Sequence, residues 1–158
     1  MTPSGRGSMK QRRILGGSVT AAFLAAGVIT GCGSQNAPED GGLASFGSLE
    51  EAYTAVDKVL GCEADPIGDP IVPMDGGQLT SEQRLCADHV QVDLYPDENA
   101  QQKSYEIWRN SDQGEVRLVR GTNWMVVDLT DVATEDQTQW DLEGLAKELN
   151  GEYTQAGS

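Results

Sequence analysis

His89 is the one histidine in a chain of 158 residues, and it directly follows Cys86-Ala87-Asp88. Imidazole titrates near neutral pH, which makes histidine the usual general base, and here an acidic residue adjoins it. Base catalysis needs a partner within hydrogen-bond reach. Ser104 and Ser111 qualify as nucleophiles only if the fold brings them to His89. The strained G-x-S-x-G elbow, the zinc-binding H-E-x-x-H helix and the phosphate-cradling glycine loop do not occur in the sequence. His89 therefore reads as a surface or strand-end histidine, with a hydrolytic centre as the weakest alternative.

Asp65, Asp69 and Asp75 supply the oxygen donors that calcium prefers. Their spacing does not reproduce the D-x-D-x-D-G loop, so solvated carboxylates are the plainer reading. A metal- or small-ligand-binding module using the acidic 63–79 loop is the alternative. No motif calls for a cofactor, and no catalytic activity is expected. Trp108 fits the core face of a helix. Trp124 starts a strand on the face opposite Met125 and Val127, and Trp140 falls about half a turn off the stripe of Leu142, Leu145 and Leu149. Trp124 and Trp140 are thus candidate binding anchors, against the ordinary alternative of packing on the first helix or the 63–79 loop.

The elements that would carry these residues begin with a distinctive N-terminal segment. Residues 1–31 hold Arg6, Lys10, Arg12 and Arg13 and no acid, and residues 14–30 hold no charge. A basic start followed by an apolar run has the form of an export signal. Its glycines, serine and threonines make it too weakly apolar to favour a membrane span. Ile29-Thr30-Gly31-Cys32 resembles the bacterial lipobox, a branched apolar residue and two small ones before an obligatory cysteine. The resemblance implies that a diacylglyceryl group joins Cys32 through a thioether, which only a sulfur nucleophile forms, and that a peptidase cuts just before it. The expected mature chain is residues 32–158, held to the membrane through the lipid on Cys32 at its outer, extracytoplasmic face. With Cys32 lipidated, Cys62 and Cys86 remain as a pair in an oxidising compartment. Their disulfide would close 23 intervening residues and contribute about 3 kcal/mol. The alternative is a metal site completed by His89, although structural zinc normally takes four Cys or His ligands.

Without residues 1–31 the chain carries 7 basic and 25 acidic residues, a formal balance of −18. Nucleic acid demands a basic footprint, so no nucleic-acid partner is expected, and an anionic membrane surface is equally disfavoured. The bland meaning of this acidity is a soluble, monomeric domain; the sharper one is a cationic partner. Residues 33–47, rich in Gly, Ser and turn formers, are expected to be a flexible tether reaching roughly 20 Å. The chain thus divides into a signal at 1–31, a lipidated cysteine and tether at 32–47, and a disulfide-stapled domain at 48–155.

In that domain Ser48-Leu49-Glu50-Glu51 has capping-box spacing, an amphipathic helical pattern follows, and Gly61 stops it. Three prolines and three glycines exclude regular structure over most of residues 63–79. Residues 81–85 fit one helical turn. Residues 89–95 alternate, with Val90, Val92 and Leu94 on one face, and predict a strand covered on that face alone. Asp97 caps a second helix carrying Ala100, Ser104, Ile107 and Trp108. Two strands joined at residues 120–123 then form a hairpin, a third helix carries the Leu142 stripe and stops at Gly151, and residues 152–155 offer a last strand. The sum is a single α+β domain, a three- or four-stranded antiparallel-rich sheet covered by helices, ferredoxin-like β-α-β-β-α-(β) with an extra N-terminal helix.

Ser48-Leu49-Glu50-Glu51-Ala52, Gly61-Cys62, Gly121-x-Asn123-Trp124-x-Val126 and a closing L-A-x-x-L-x-G-E together resemble small actinobacterial lipoproteins of unknown function. Thr122 stands where proline is the more usual residue. The resemblance implies export, a lipid anchor and a small α/β domain, and it implies no activity. The expectation is a lipid-anchored accessory or interaction domain that contacts an envelope protein or an extracellular ligand.

Overall fold

The computed structural model describes residues 42–134 and 137–157; Cys32, the signal and the start of the expected tether lie outside them. Ser48 opens helix α1, Leu49–Leu60, because its hydroxyl accepts the Glu51 N–H at 3.2 Å. Glu51 answers by accepting the N–H of Gly47, one residue earlier than the usual capping box. At the other end Gly61 takes the left-handed conformation, φ 71°, and donates to the Asp57 carbonyl. Cys62 follows at once and donates to the Asp57 carboxylate.

Next come β1, Glu82–Ala87, β2, Val90–Leu94, helix α2, Glu98–Arg109, β3, Val116–Arg120, and β4, Trp124–Asp128. A four-residue helix α3, Thr130–Ala133, then α4, Leu142–Glu148, and β5, Glu152–Ala156, complete the domain. All neighbouring strands are antiparallel, in the order β1-β2-β4-β3-β5. The α+β class and the last strand are as the pattern indicates. Residues 81–85 are not a helical turn: β2 offers a hydrogen-bonding ladder, and Glu82 to Leu85 pair along it. That pairing supplies a fifth strand.

Two crossovers explain the layering. β2–α2–β3 and β4–α4–β5 each join parallel strands with one strand between them, and both step the same way across the sheet. β2 and β4 run in opposite directions. Right-handed connections therefore place α2 and α4 on opposite faces. One core lies between the sheet and α1 with α4, built on Val56, Val92, Trp124, Val126 and Leu145; the other lies under α2, built on Tyr105, Trp108, Leu118, Met125 and Val127. β5 reaches the edge beside β3 while β1 takes the edge beside β2, so the ferredoxin-like detail does not carry through. β2 is covered on both faces, not one.

The β1–β2 register shifts between Leu85 and Ala87. This bulge lets Cys86 and Ala87 both join the core beneath α1, where Cys86 meets Cys62 across a Cα separation of 4.6 Å. The disulfide thus joins the end of α1 to the end of β1.

Residues 42–47, expected within the flexible tether, are held against the β3–β4 turn. Asn123 accepts the Phe46 N–H at 3.0 Å and donates to the Phe46 carbonyl at 2.8 Å. The Ala44 carbonyl accepts from Thr122 N–H and from the Trp124 indole. A Cβ on Gly121 would collide with that indole nitrogen and with the Ala44 carbonyl, so the turn requires glycine. At the end of α4 the left-handed residue is Asn150, φ 47°, rather than Gly151, whose Cβ would crowd Val119 and the Arg120 carbonyl.

Replacing Cys62 and Cys86 together by Ser is expected to lower unfolding free energy by about 3 kcal/mol, read as a reduced urea midpoint with an unchanged far-UV spectrum.

Candidate interaction surface

Residues 63–80 leave the disulfide and return to the sheet at Ser81, whose N–H donates to the Leu94 carbonyl. The segment contains Asp-Pro-Ile twice, at residues 65–67 and 69–71. Pro66 and Pro70 are half-buried and Pro73 is buried, while Ile67 and Ile71 are exposed. Proline turned inward leaves no N–H to satisfy, and the isoleucine N–H that follows each one is taken by a side chain of the β1–β2 turn or of β2. Ile67 N–H donates to the Asp88 carboxylate at 2.6 Å, and Ile71 N–H donates to Gln91 Oε1 at 2.8 Å. The Ile71 carbonyl accepts from Gln83 Nε2 and Gln91 Nε2. The backbone is held from behind, so the isoleucine side chains project outward.

Beyond Ile71, Pro73 and Leu79 close a small turn, with Leu79 N–H bonded to the Pro73 carbonyl and Gly76 at φ 71°. Leu79 packs into the core beneath α2, whereas Met74 stays outside. Among the described residues the large hydrophobic side chains left exposed are Ile67, Ile71, Val72 and Met74, at 77%, 52%, 39% and 64%. All four lie on this strap. Scattered apolar exposure is ordinary, but a concentration on one ordered segment marks a contact surface.

Asp93 sets the clamp. It is fully buried, and it accepts one N–H from Gln83 and shares the amide of Gln91 at 2.9 to 3.0 Å. Because the carboxylate can only accept, it turns both amide nitrogens inward and leaves Gln91 Oε1 facing the Ile71 N–H. Tyr95 donates its single proton to Asp93 at 3.1 Å, so the 2.7 Å bond between Tyr95 and Ser104 has Ser104 as donor. Burial pushes the Asp93 carboxyl up from 3.8 to about 6, outweighing the Gln83, Gln91 and Tyr95 hydrogen bonds that lower it. Burial, then the Asp93 charge, push the Tyr95 phenol well above its ordinary value.

Trp124 is wholly buried, its ring 5.3 Å from that of Phe46. It is a core residue and not an exposed anchor, because the 42–47 segment covers it. Trp108 is buried on α2 as expected. Trp140 is half-buried and lines an open cleft of about 890 Å³ with Leu60, Asp88 and His89. His89 sits half-exposed in the β1–β2 turn, and its carbonyl accepts from Leu129 N–H. Ser104 is fully buried against Tyr95 and Ser111 lies just past α2; neither lines the cleft that His89 faces. Asp75 stands 4.0 Å from Lys103 on α2, and among the described residues no three His, Cys, Asp or Glu converge on a metal position. No described helix is long and apolar enough to cross a membrane. The sequence signal for the strap was its Asp-Pro-Ile repetition; the clamping roles of Gln83, Gln91 and Asp93 had none beyond a polar face on a strand.

The chain matches no protein-family model, no curated protein and no solved structure. Fold and surface together define a disulfide-stapled α+β domain with a preformed apolar strap on its surface.

Asp93 makes this domain sensitive to pH in a set direction. Its folded pKa lies above its unfolded one, so the folded state binds the extra proton between about 4 and 6, and stability falls as pH rises through that window. The penalty at neutral pH is on the order of 3 kcal/mol. Urea denaturation from pH 4 to 7.5 should show this slope in the wild type, and the difference against Asp93→Asn should isolate it.

Proposed function

We propose that this protein is a lipid-anchored, extracytoplasmic interaction domain without catalytic activity, which contacts an envelope protein through the strap. The observation that carries the reading is the outward ridge of Ile67, Ile71, Val72 and Met74 on a backbone fastened to the sheet. Water meets apolar side chains that the fold holds in place, and a partner would remove them from water without first ordering the segment.

The anchor half of the reading rests on the basic start, the uncharged run and the lipobox resemblance at Cys32. The lipid is attached before the peptidase cuts, and two acyl chains hold a protein stably where one does not. Residues 42–47, which the expected tether included, are fastened to the domain. The domain would stand close to the bilayer as a monomer, within reach of neighbouring envelope proteins.

Both halves are open to test in membranes of the source organism. Cys32→Ala is expected to abolish fatty-acid labelling and either release the chain from the membrane fraction or leave it unprocessed; undiminished labelling overturns the anchor. A photoreactive residue at Ile67 of the full chain is expected to give a discrete protein crosslink that one at exposed Glu98 does not. Equal patterns from the two positions would overturn the strap as the contact surface.

A further inference from the structure

The charged residues of the strap itself are all of one sign, with Arg84 and Lys103 as its cationic neighbours. Residues 63–80 contain Glu63, Asp65, Asp69 and Asp75 and no Lys or Arg. Asp65 and Asp69 stand two residues before Ile67 and Ile71, so carboxylate and isoleucine alternate along the surface; all four are exposed. Among the described residues neither aspartate has an ion-pair partner, and Asp75 reaches only Lys103 at 4.0 Å.

These features discriminate between occupants. A partner strand cannot add along Ile71, because its N–H and carbonyl are already bonded to Gln91 and Gln83. An anionic bilayer would meet the interleaved carboxylates with like charge. A second copy would bring the same four carboxylates together. What fits is a protein surface with an apolar face, to take Ile67, Ile71 and Met74, and flanking Lys or Arg, to meet Asp65 and Asp69.

Resting on the interaction reading above, we infer that the strap docks a cationic amphipathic surface of a partner protein, with apolar contact from the isoleucines and charge selection from the interleaved aspartates. The apolar contact provides affinity and the aspartates reject acidic competitors.

The test uses the full chain, in phosphatidylcholine nanodiscs if lipidated and free in buffer if not, and two synthetic helical peptides. Both carry the same leucine face, flanked by Lys in one and by Glu in the other. The Lys-flanked peptide is expected to bind at least tenfold tighter, with affinity falling as salt rises. Ile67→Ser with Ile71→Ser should weaken it at least tenfold at an unchanged melting temperature, since both side chains are exposed. Asp65→Asn with Asp69→Asn should flatten the salt dependence, whereas Glu98→Gln with Glu143→Gln, which removes the same charge elsewhere, should not. Equal binding of the two peptides, or indifference to the isoleucine variants, overturns the inference. So does strap-dependent binding to phosphatidylglycerol vesicles in place of peptide, or self-association that the isoleucine variants abolish. Loss of the anchor at Cys32 leaves these titrations intact, so the two readings fail separately.

Discussion

Ile71 has both of its backbone hydrogen-bonding groups captured by side chains of the sheet, and the character of the whole strap follows from that capture. An unpaired backbone amide near the protein interior is costly, so a segment crossing a sheet edge must find partners. Here the partners are Gln83 and Gln91, oriented by a buried carboxylate. Once they hold the backbone inward, the prolines face the sheet and the isoleucines face water. Asp93 costs the fold stability at neutral pH because burial disfavours its charge. It is nonetheless the group that forbids the amides from flipping.

The rest of the fold supplies a platform for this arrangement. β1 is an edge strand, and exposed strand edges invite unwanted pairing. The strap begins against that edge, with Glu63 N–H on the Cys86 carbonyl, and the disulfide fixes its origin to the same place. The bulge at Cys86 makes the bond geometrically accessible from α1. At the β3–β4 turn, Gly121, Asn123 and Trp124 play a comparable part for residues 42–47. Glycine gives the room, asparagine binds a backbone on both of its polar atoms, and the indole satisfies its N–H while covering the core. The short motif that contains them is therefore a clamp for the chain's entry into the domain.

Local features were legible because they depend on neighbours in sequence. Ser48 and Asp97 cap helices three residues on, Gly61 ends one by its own backbone freedom, and the Leu142 stripe follows helical spacing. Residues 81–85 misled because their pattern is short enough to fit either a turn or a strand, and only the neighbouring β2 decides. Trp124 was ambiguous for a related reason. An alternating strand shows which side chains share a face, and says nothing of what lies over it.

By itself the sequence determined both ends of α1 and the start of α2, the alternation of β2 to β4, the α+β class and the pairing expected of Cys62 with Cys86, all from spacings of a few residues or from cysteine number. Tertiary structure alone decided that β5 pairs with β3, that Gln91 and Asp93 face a covered side, and that the strap turns prolines in and isoleucines out. The contacts responsible join residues 20 apart, as between Ile71 and Gln91, or 77 apart, as between Phe46 and Asn123. Such contacts form only where the folded sheet brings the partners together, and a hydrogen bond's direction depends on that geometry rather than on residue type alone.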